Sequence, residues 1–158
     1  MMVHMATNFL PAIVELFREC FEGMPEGRNY TWFVQGKEGI FNAFDSLTAE
    51  QASNKPNPDC PSIAAHTYHI RFALRGSNCD IRGEKTEGTW ESSWDKQTVT
   101  DEEWRDLIAS VREEYAFFLG VMSNDPQIPE GDAVIGSLAM LPHMAYHLGA
   151  IRQLMKVG

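Results

Sequence analysis

Cysteine is scarce and unpatterned in this chain. Cys20, Cys60 and Cys79 are the only three, and no two form a C-x-x-C pair. That excludes a zinc ribbon or a disulfide framework and fits a reducing, cytoplasmic setting. Long apolar runs are also lacking: none approaches the ~20 residues needed to span a bilayer. Positive charge is in deficit, with 13 Lys and Arg against 22 Asp and Glu, a formal net charge of −9. An acidic surface repels phosphate backbones and anionic lipids, so neither nucleic acid nor a membrane is expected as a partner. There is no internal repeat, no low-complexity tract and no segment that alternates as a strand.

What is present is a core. The chain has 158 residues, 44% of them hydrophobic, with nine Phe, four Trp and four Tyr. This suits one domain over 1–158 and argues against disorder. The opening residues lack a basic region and a small-residue cleavage site, and Glu15 and Arg18 interrupt the apolar pattern. They read as helix rather than signal peptide.

Four long helices are predicted from spacing at three and four. The first covers 7–22, with Phe9, Leu10, Ile13, Val14, Phe17, Cys20 and Phe21 on one side. Thr7 or Asn8 can cap it, and Pro11 is tolerable within its first turn. A short helix near 37–46 follows, then a Thr48/Gln51 capping box, then a proline-rich loop over 52–61. The second long helix runs from Ser62 to Arg75, ended by Gly76, which leaves 77–99 irregular and Cys79 in a loop. The third opens on a capping box, Thr100 with Glu103, and a Val99–Trp104 staple. After a loop at 123–131, the fourth runs from Asp132 to Met155 with Pro142 inside it, a position that costs about 3 kcal/mol. The fold class is therefore all-α, a four-helix bundle with long connections after the first two helices. The shorter link between the third and fourth suggests antiparallel neighbours.

The histidines carry the chemistry. His4 sits near the start and is set aside; the others are His66, His69, His143 and His147. At ~100° per residue, His143 and His147 share a helix face with Gly136, Met140, Ala150 and Leu154. Arg152 and Lys156 fall opposite, so the pair points inward. Two imidazoles at i, i+4 can bind one metal ion, although H-M-A-Y-H lacks the glutamate of H-E-x-x-H. On the second helix, taking Arg71 and Arg75 as the solvent side puts the inward centre near Ala73, with both His66 and His69 close to it. Either can supply a third ligand, and geometry does not choose. A lone inward histidine is more often a core residue tied to a carbonyl. Several together are costly to bury unless each nitrogen finds a partner, and a divalent ion satisfies several at once.

The runs His143-Met144-Ala145-Tyr146-His147-Leu148-Gly149-Ala150-Ile151-Arg152-Gln153-Leu154 and Ser62-Ile63-Ala64-Ala65-His66-Thr67-Tyr68-His69-Ile70 resemble the last-helix and second-helix motifs of the DinB/YfiT-like superfamily, a damage-inducible family of metalloenzymes. The segment Leu47–Ser53 and the Trp90/Trp94 pair before a capped helix are similar too, so the likeness covers nearly the whole chain. The resemblance implies a four-helix bundle with a three-histidine metal site. In that family the second-helix ligand lies about seven residues after a helix-opening Ser or Thr, which implies His69 with His143 and His147. His66 is then a neighbour of the site or plain core. Where the family often has Gly-Gln after the last ligand, this chain has Gly149-Ala150.

The implied cofactor is a divalent transition metal, zinc or nickel first and iron or copper next. The implied activity is hydrolysis or transfer of a low-molecular-weight thiol, with a small-molecule substrate. The other reading is a non-catalytic, metal-stabilised homodimer that binds a small ligand or a protein. Aromatic-rich long connections suit pairing of two subunits, so a homodimer is expected. No catalytic nucleophile or base stands out: Cys20 falls on the core stripe, Tyr68 and Tyr146 point away from the histidines on the wheel, and Trp32, Trp90, Trp94 and Trp104 are assigned to core or interface.

Overall fold

A computed structural model describes residues 9–124 and 132–157. Its helices are α1 (Leu10–Glu22), α2 (Ile40–Asp45), α3 (Ala49–Ser53), α4 (Ile63–Arg82), α5 (Asp101–Asn124) and α6 (Asp132–Val157). Short 3-10 turns occupy Gln35–Lys37 and Ser92–Trp94, and no strand occurs among the described residues. The expected all-α class therefore holds. No described helix is long and apolar enough to cross a membrane.

The four long helices α1, α4, α5 and α6 share one core. It is filled by Phe17 and Phe21 of α1, Ile70 and Leu74 of α4, Val111, Tyr115 and Phe118 of α5, and Met144 and Ile151 of α6. Phe21 and Tyr115 are 4.6 Å apart at their ring centroids, and Phe17 and Phe118 are 5.2 Å apart. Helix α4 packs on α5 and α6, and α1 packs on the same two. Helices α5 and α6 therefore lie across a diagonal, not side by side as their short link suggests. The seven residues between them reach about 23–25 Å extended, ample for the ~14 Å diagonal of helices 8–10 Å apart.

Local signals explain most boundaries. The Thr48/Gln51 box is closed in both directions, at 2.9 and 3.2 Å. Thr100 and Glu103 do the same at the start of α5, at 2.8 and 3.2 Å. Ser62 caps α4 by accepting the Ala65 N–H. Helix α1 starts later than expected: Phe9 precedes it without a side-chain cap, and Thr7 and Asn8 lie outside the described residues. Helix α2 is shorter than 37–46, and α3 takes the first two residues of the expected 52–61 loop. Of the loop expected at 123–131, Ser123 and Asn124 belong to α5 and the rest lies outside the described residues.

The largest correction concerns α4. It does not stop at Gly76 but runs two turns further, to a left-handed Gly83 whose N–H reaches back to Asp80 and Cys79. A mid-helix glycine costs roughly 1 kcal/mol. The extra turns recover that by burying Asn78 and Cys79, with the Asn78 amide donating to both the Glu114 backbone carbonyl and its carboxylate. Cys79 is thus a buried helical residue. Arg71 and Arg75 do not mark a solvent face either. They are half-buried against α5, donating to Ser110 and Glu114 at 2.8 and 2.9 Å. His66 and His69 point inward all the same.

The long connection after α1 is pinned by one carboxylate. Glu19 is fully buried and accepts backbone N–H bonds from Trp32, Phe33 and Val34 at 2.8, 2.9 and 3.0 Å. Burial pushes this carboxyl up, but those N–H groups and the Arg28 charge outweigh it and hold it below the usual range.

Candidate metal centre

Four histidines from two neighbouring helices meet in the interior. Helix α4 supplies His66 and His69, one turn apart; α6 supplies His143 and His147. The inward line of α6 runs through Met140, Met144, Leu148 and Ile151, while Gly136 is exposed. The histidine face is rotated slightly from that line, which buries His147 completely and leaves His143 half-buried at the rim.

His69, His143 and His147 each present a nitrogen within 4.8 Å of the other two. This group of three can hold a metal ion. His143 Nε2 and His147 Nε2 are 2.9 Å apart, and His147 Nδ1 is 2.9 Å from His66 Nδ1. His69 Nδ1 lies 2.6 Å from Ser93 Oγ, and that hydroxyl is 2.5 Å from the Trp90 carbonyl.

Hydrogen counting fixes the state of His69. A carbonyl only accepts, so the single Ser93 hydroxyl hydrogen goes to Trp90. The His69–Ser93 bond then has Nδ1–H donating to Oγ. The neutral ring therefore has a bare Nε2. That atom is buried and finds no hydrogen-bond partner. A buried lone pair without a donor costs about 1–3 kcal/mol unless something else fills its need. A metal ion beside two further imidazole nitrogens is such a partner, so the donor set fits the group.

The protonation states suit ligation. Burial pushes His66 down to about 4. Burial, then the neighbouring His143 and His66, pushes His69 to about 4. His147 falls to about 2 through burial and its three histidine neighbours, and burial also lowers His143. All four rings are neutral near pH 7, the form in which imidazole binds metal.

The connection between α4 and α5 walls the cluster. Trp94 stacks on His69 with centroids 4.0 Å apart and planes 18° apart. Trp90 stands edge-on to His69 at 4.5 Å and stacks on His143 at 5.7 Å. Of the tryptophans assigned to core or interface, Trp104 is core, but Trp90 and Trp94 border the histidines and Trp32 is exposed. The segment is held in register by Gln97, which accepts the Ser62 N–H at its Oε1 and the Ser62 hydroxyl at its carbonyl. Thr89 and Ser92 exchange hydrogen bonds and shape the turn that presents Ser93. Sequence reading missed Ser93 and the role of both indoles. The i, i+4 spacing of Trp90 and Trp94 around Ser93 was the available signal, but nothing in it says what the loop covers.

Other sequence candidates fall outside the cluster. Cys20 is fully buried in the core, and burial pushes its thiol up to about 12. Tyr68 lies beside Arg71. Tyr146 is exposed, although its ring edge approaches His147 at 5.1 Å. Two surface grooves border α6, of about 650 Å³ along Ile63, Val99 and Leu154 and about 270 Å³ along Val34, Leu148 and Arg152; no histidine lines either. No protein-family model, no curated protein and no solved structure matches the chain.

Proposed function

We propose that this chain is a DinB/YfiT-like four-helix bundle in which His69, His143 and His147 hold one divalent transition metal, and that it is a metal-dependent hydrolase or thiol S-transferase. The observation that carries the reading is the bare, buried Nε2 of His69, on a ring grouped within 4.8 Å with nitrogens of His143 and His147, whose own Nε2 atoms face each other. An all-imidazole set suits zinc or nickel, with iron or copper the alternatives. Three neutral ligands leave the ion its full charge and open positions, and bound there it supplies the Lewis acidity that makes a water or a low-molecular-weight thiol a better nucleophile near neutral pH.

The chain's own residues position and exclude. Ser93 holds the His69 ring by its Nδ1–H, and Trp94 fixes the ring plane. Trp90, itself exposed and stacked on the half-buried His143, marks the side from which a small-molecule substrate would approach. Cys20 and Cys79 are buried, and the proposal takes its nucleophile, a water or a low-molecular-weight thiol, from outside the chain.

A second reading has its own support. Indole rings lie against His69 and His143, and the two grooves lie elsewhere. That favours a metal-stabilised bundle without catalysis.

The test begins with metal content of protein purified without an affinity tag, repeated for His143→Ala. The proposal expects about one ion per chain in the parent and little in the variant. Stoichiometric metal that survives the substitution contradicts the site. Turnover across ester, amide and thiol-transfer panels, lost on chelation, supports the enzyme; chelator-sensitive stability without turnover supports the second reading.

A further inference from the structure

The fourth histidine of the cluster is outside the three-nitrogen group, yet it is buried and bonded to one of its members. His66 Nδ1 lies 2.9 Å from His147 Nδ1. Two ring nitrogens at that distance share one hydrogen: one donates and the other accepts. His147 also faces His143 through Nε2 at 2.9 Å. A neutral imidazole carries a single N–H, so the two bonds of His147 are linked. If its hydrogen is on Nδ1, its Nε2 is a bare lone pair; if the hydrogen is on Nε2, that nitrogen has no lone pair to offer a metal ion.

We propose that His66 is a positioning residue: its Nδ1 accepts the Nδ1–H of His147 and so holds His147 in the tautomer whose Nε2 is free to ligate. This inference rests on the three-histidine metal reading. The state it requires is consistent throughout, with His66 neutral and its own hydrogen on Nε2. The surroundings fix the His66 ring as well. Trp94 meets it edge-on at 5.3 Å with planes 85° apart, and the His147 ring lies 5.1 Å away. Trp94 thus touches both α4 histidines, stacked on His69 and edge-on to His66. His69 and His147 are held by different acceptor devices: His69 gives its Nδ1–H to a hydroxyl, and His147 gives its Nδ1–H to His66. Partners of this kind typically change metal affinity 10–100-fold when removed.

The experiment compares the full chain with His66→Leu and His66→Asn. Asparagine places Oδ1 close to where the histidine Nδ1 stood and still accepts; leucine fills space without accepting. Zinc affinity is measured by competition with a chromophoric chelator, and cobalt spectra report the ligand set. The expected result is a 10–100-fold weaker zinc complex for leucine, recovery of most of that loss for asparagine, and one cobalt spectrum for all three proteins. Leucine binding zinc as tightly as the parent overturns the inference alone, as does asparagine binding no better than leucine. A cobalt spectrum that changes coordination in both variants overturns it differently, by making His66 a ligand. A parent that takes up no zinc overturns the metal reading and this inference together. Should circular dichroism show that leucine does not fold, nitrogen-15 spectra of the zinc-loaded parent decide: His147 protonated at Nδ1 and bonded to His66 supports the inference, and His147 protonated at Nε2 overturns it.

Discussion

The chain buries polar groups in two contrasting ways. At Glu19 a carboxylate is surrounded by donors: three backbone N–H groups close on its two oxygens. At the histidine cluster the situation is reversed. Four imidazoles converge, two nitrogen pairs must share one hydrogen each, and the Nε2 of His69 has no partner. The first arrangement is complete within the chain and holds a loop in place. The second is completed only by a group that accepts lone pairs. A buried polar network that the chain satisfies itself points to architecture, and one left short of donors points to a ligand.

Stability separates the two regions most sharply. Glu19→Ala strands three backbone donors and removes charge-assisted bonds, so urea unfolding is expected to show a loss of about 3–5 kcal/mol. Glu19→Gln keeps an acceptor and should cost about half. Neither should alter the stabilisation gained from zinc. An Ala variant within ~1 kcal/mol of the parent would erase the distinction between the regions.

The opposite substitution tests the other side. Zinc at a hundredfold excess over its dissociation constant should raise stability by about 2.7 kcal/mol. His143→Ala should abolish that gain while changing metal-free stability by less than ~1 kcal/mol, because the ring is half-buried at the rim. Equal gains in parent and variant would place the metal elsewhere.

Acid should undo the regions in sequence. The histidines are depressed below their ordinary 6.5 in the folded chain, to about 4 for His66 and His69. The unfolded chain therefore binds more protons in that window. Metal-free stability is full above pH 6.5 and falls below it, by about 1.4 kcal/mol per pH unit for each net proton. Glu19 is lowered from its ordinary 4.5, so its contribution persists above that value and is lost only as pH falls further, through its folded value. Calorimetry from pH 7 to 3 reads both. A flat profile between 6.5 and 4.5 would contradict the buried neutral cluster.

The smallest effect concerns the cluster's own support. Ser93→Ala removes the acceptor for the His69 Nδ1–H and should cost about 1 kcal/mol without metal. With zinc, roughly tenfold weaker binding is expected in the same chelator competition. Unchanged binding would mean that Trp94 stacking alone sets the ring.

Much of the site was legible because helical spacing is local. The i, i+4 pair on the last helix and the i, i+3 pair on the second both point inward, as the wheel predicts. The tie between His66 and His69 has a physical cause: both are buried in the cluster, but only His69 belongs to the group of three, with its Nδ1 held by Ser93. The approach of Ser93 is a tertiary event. Gly76 was read as a stop because its local cost is visible, whereas the burial of Asn78 and Cys79 that outweighs it comes from α5. Arg71 and Arg75 misled for the same reason, since their partners Ser110 and Glu114 lie on another helix. Pro142 breaks the local rule without ending α6, and nothing in the packing accounts for it.

X-ray absorption on the zinc-loaded, tag-free protein tests the central claim most directly. The account predicts three imidazole nitrogens at ~2.0–2.1 Å, losing one in His69→Ala. Zinc absent at stoichiometry, or a first shell without imidazole nitrogen, would contradict it.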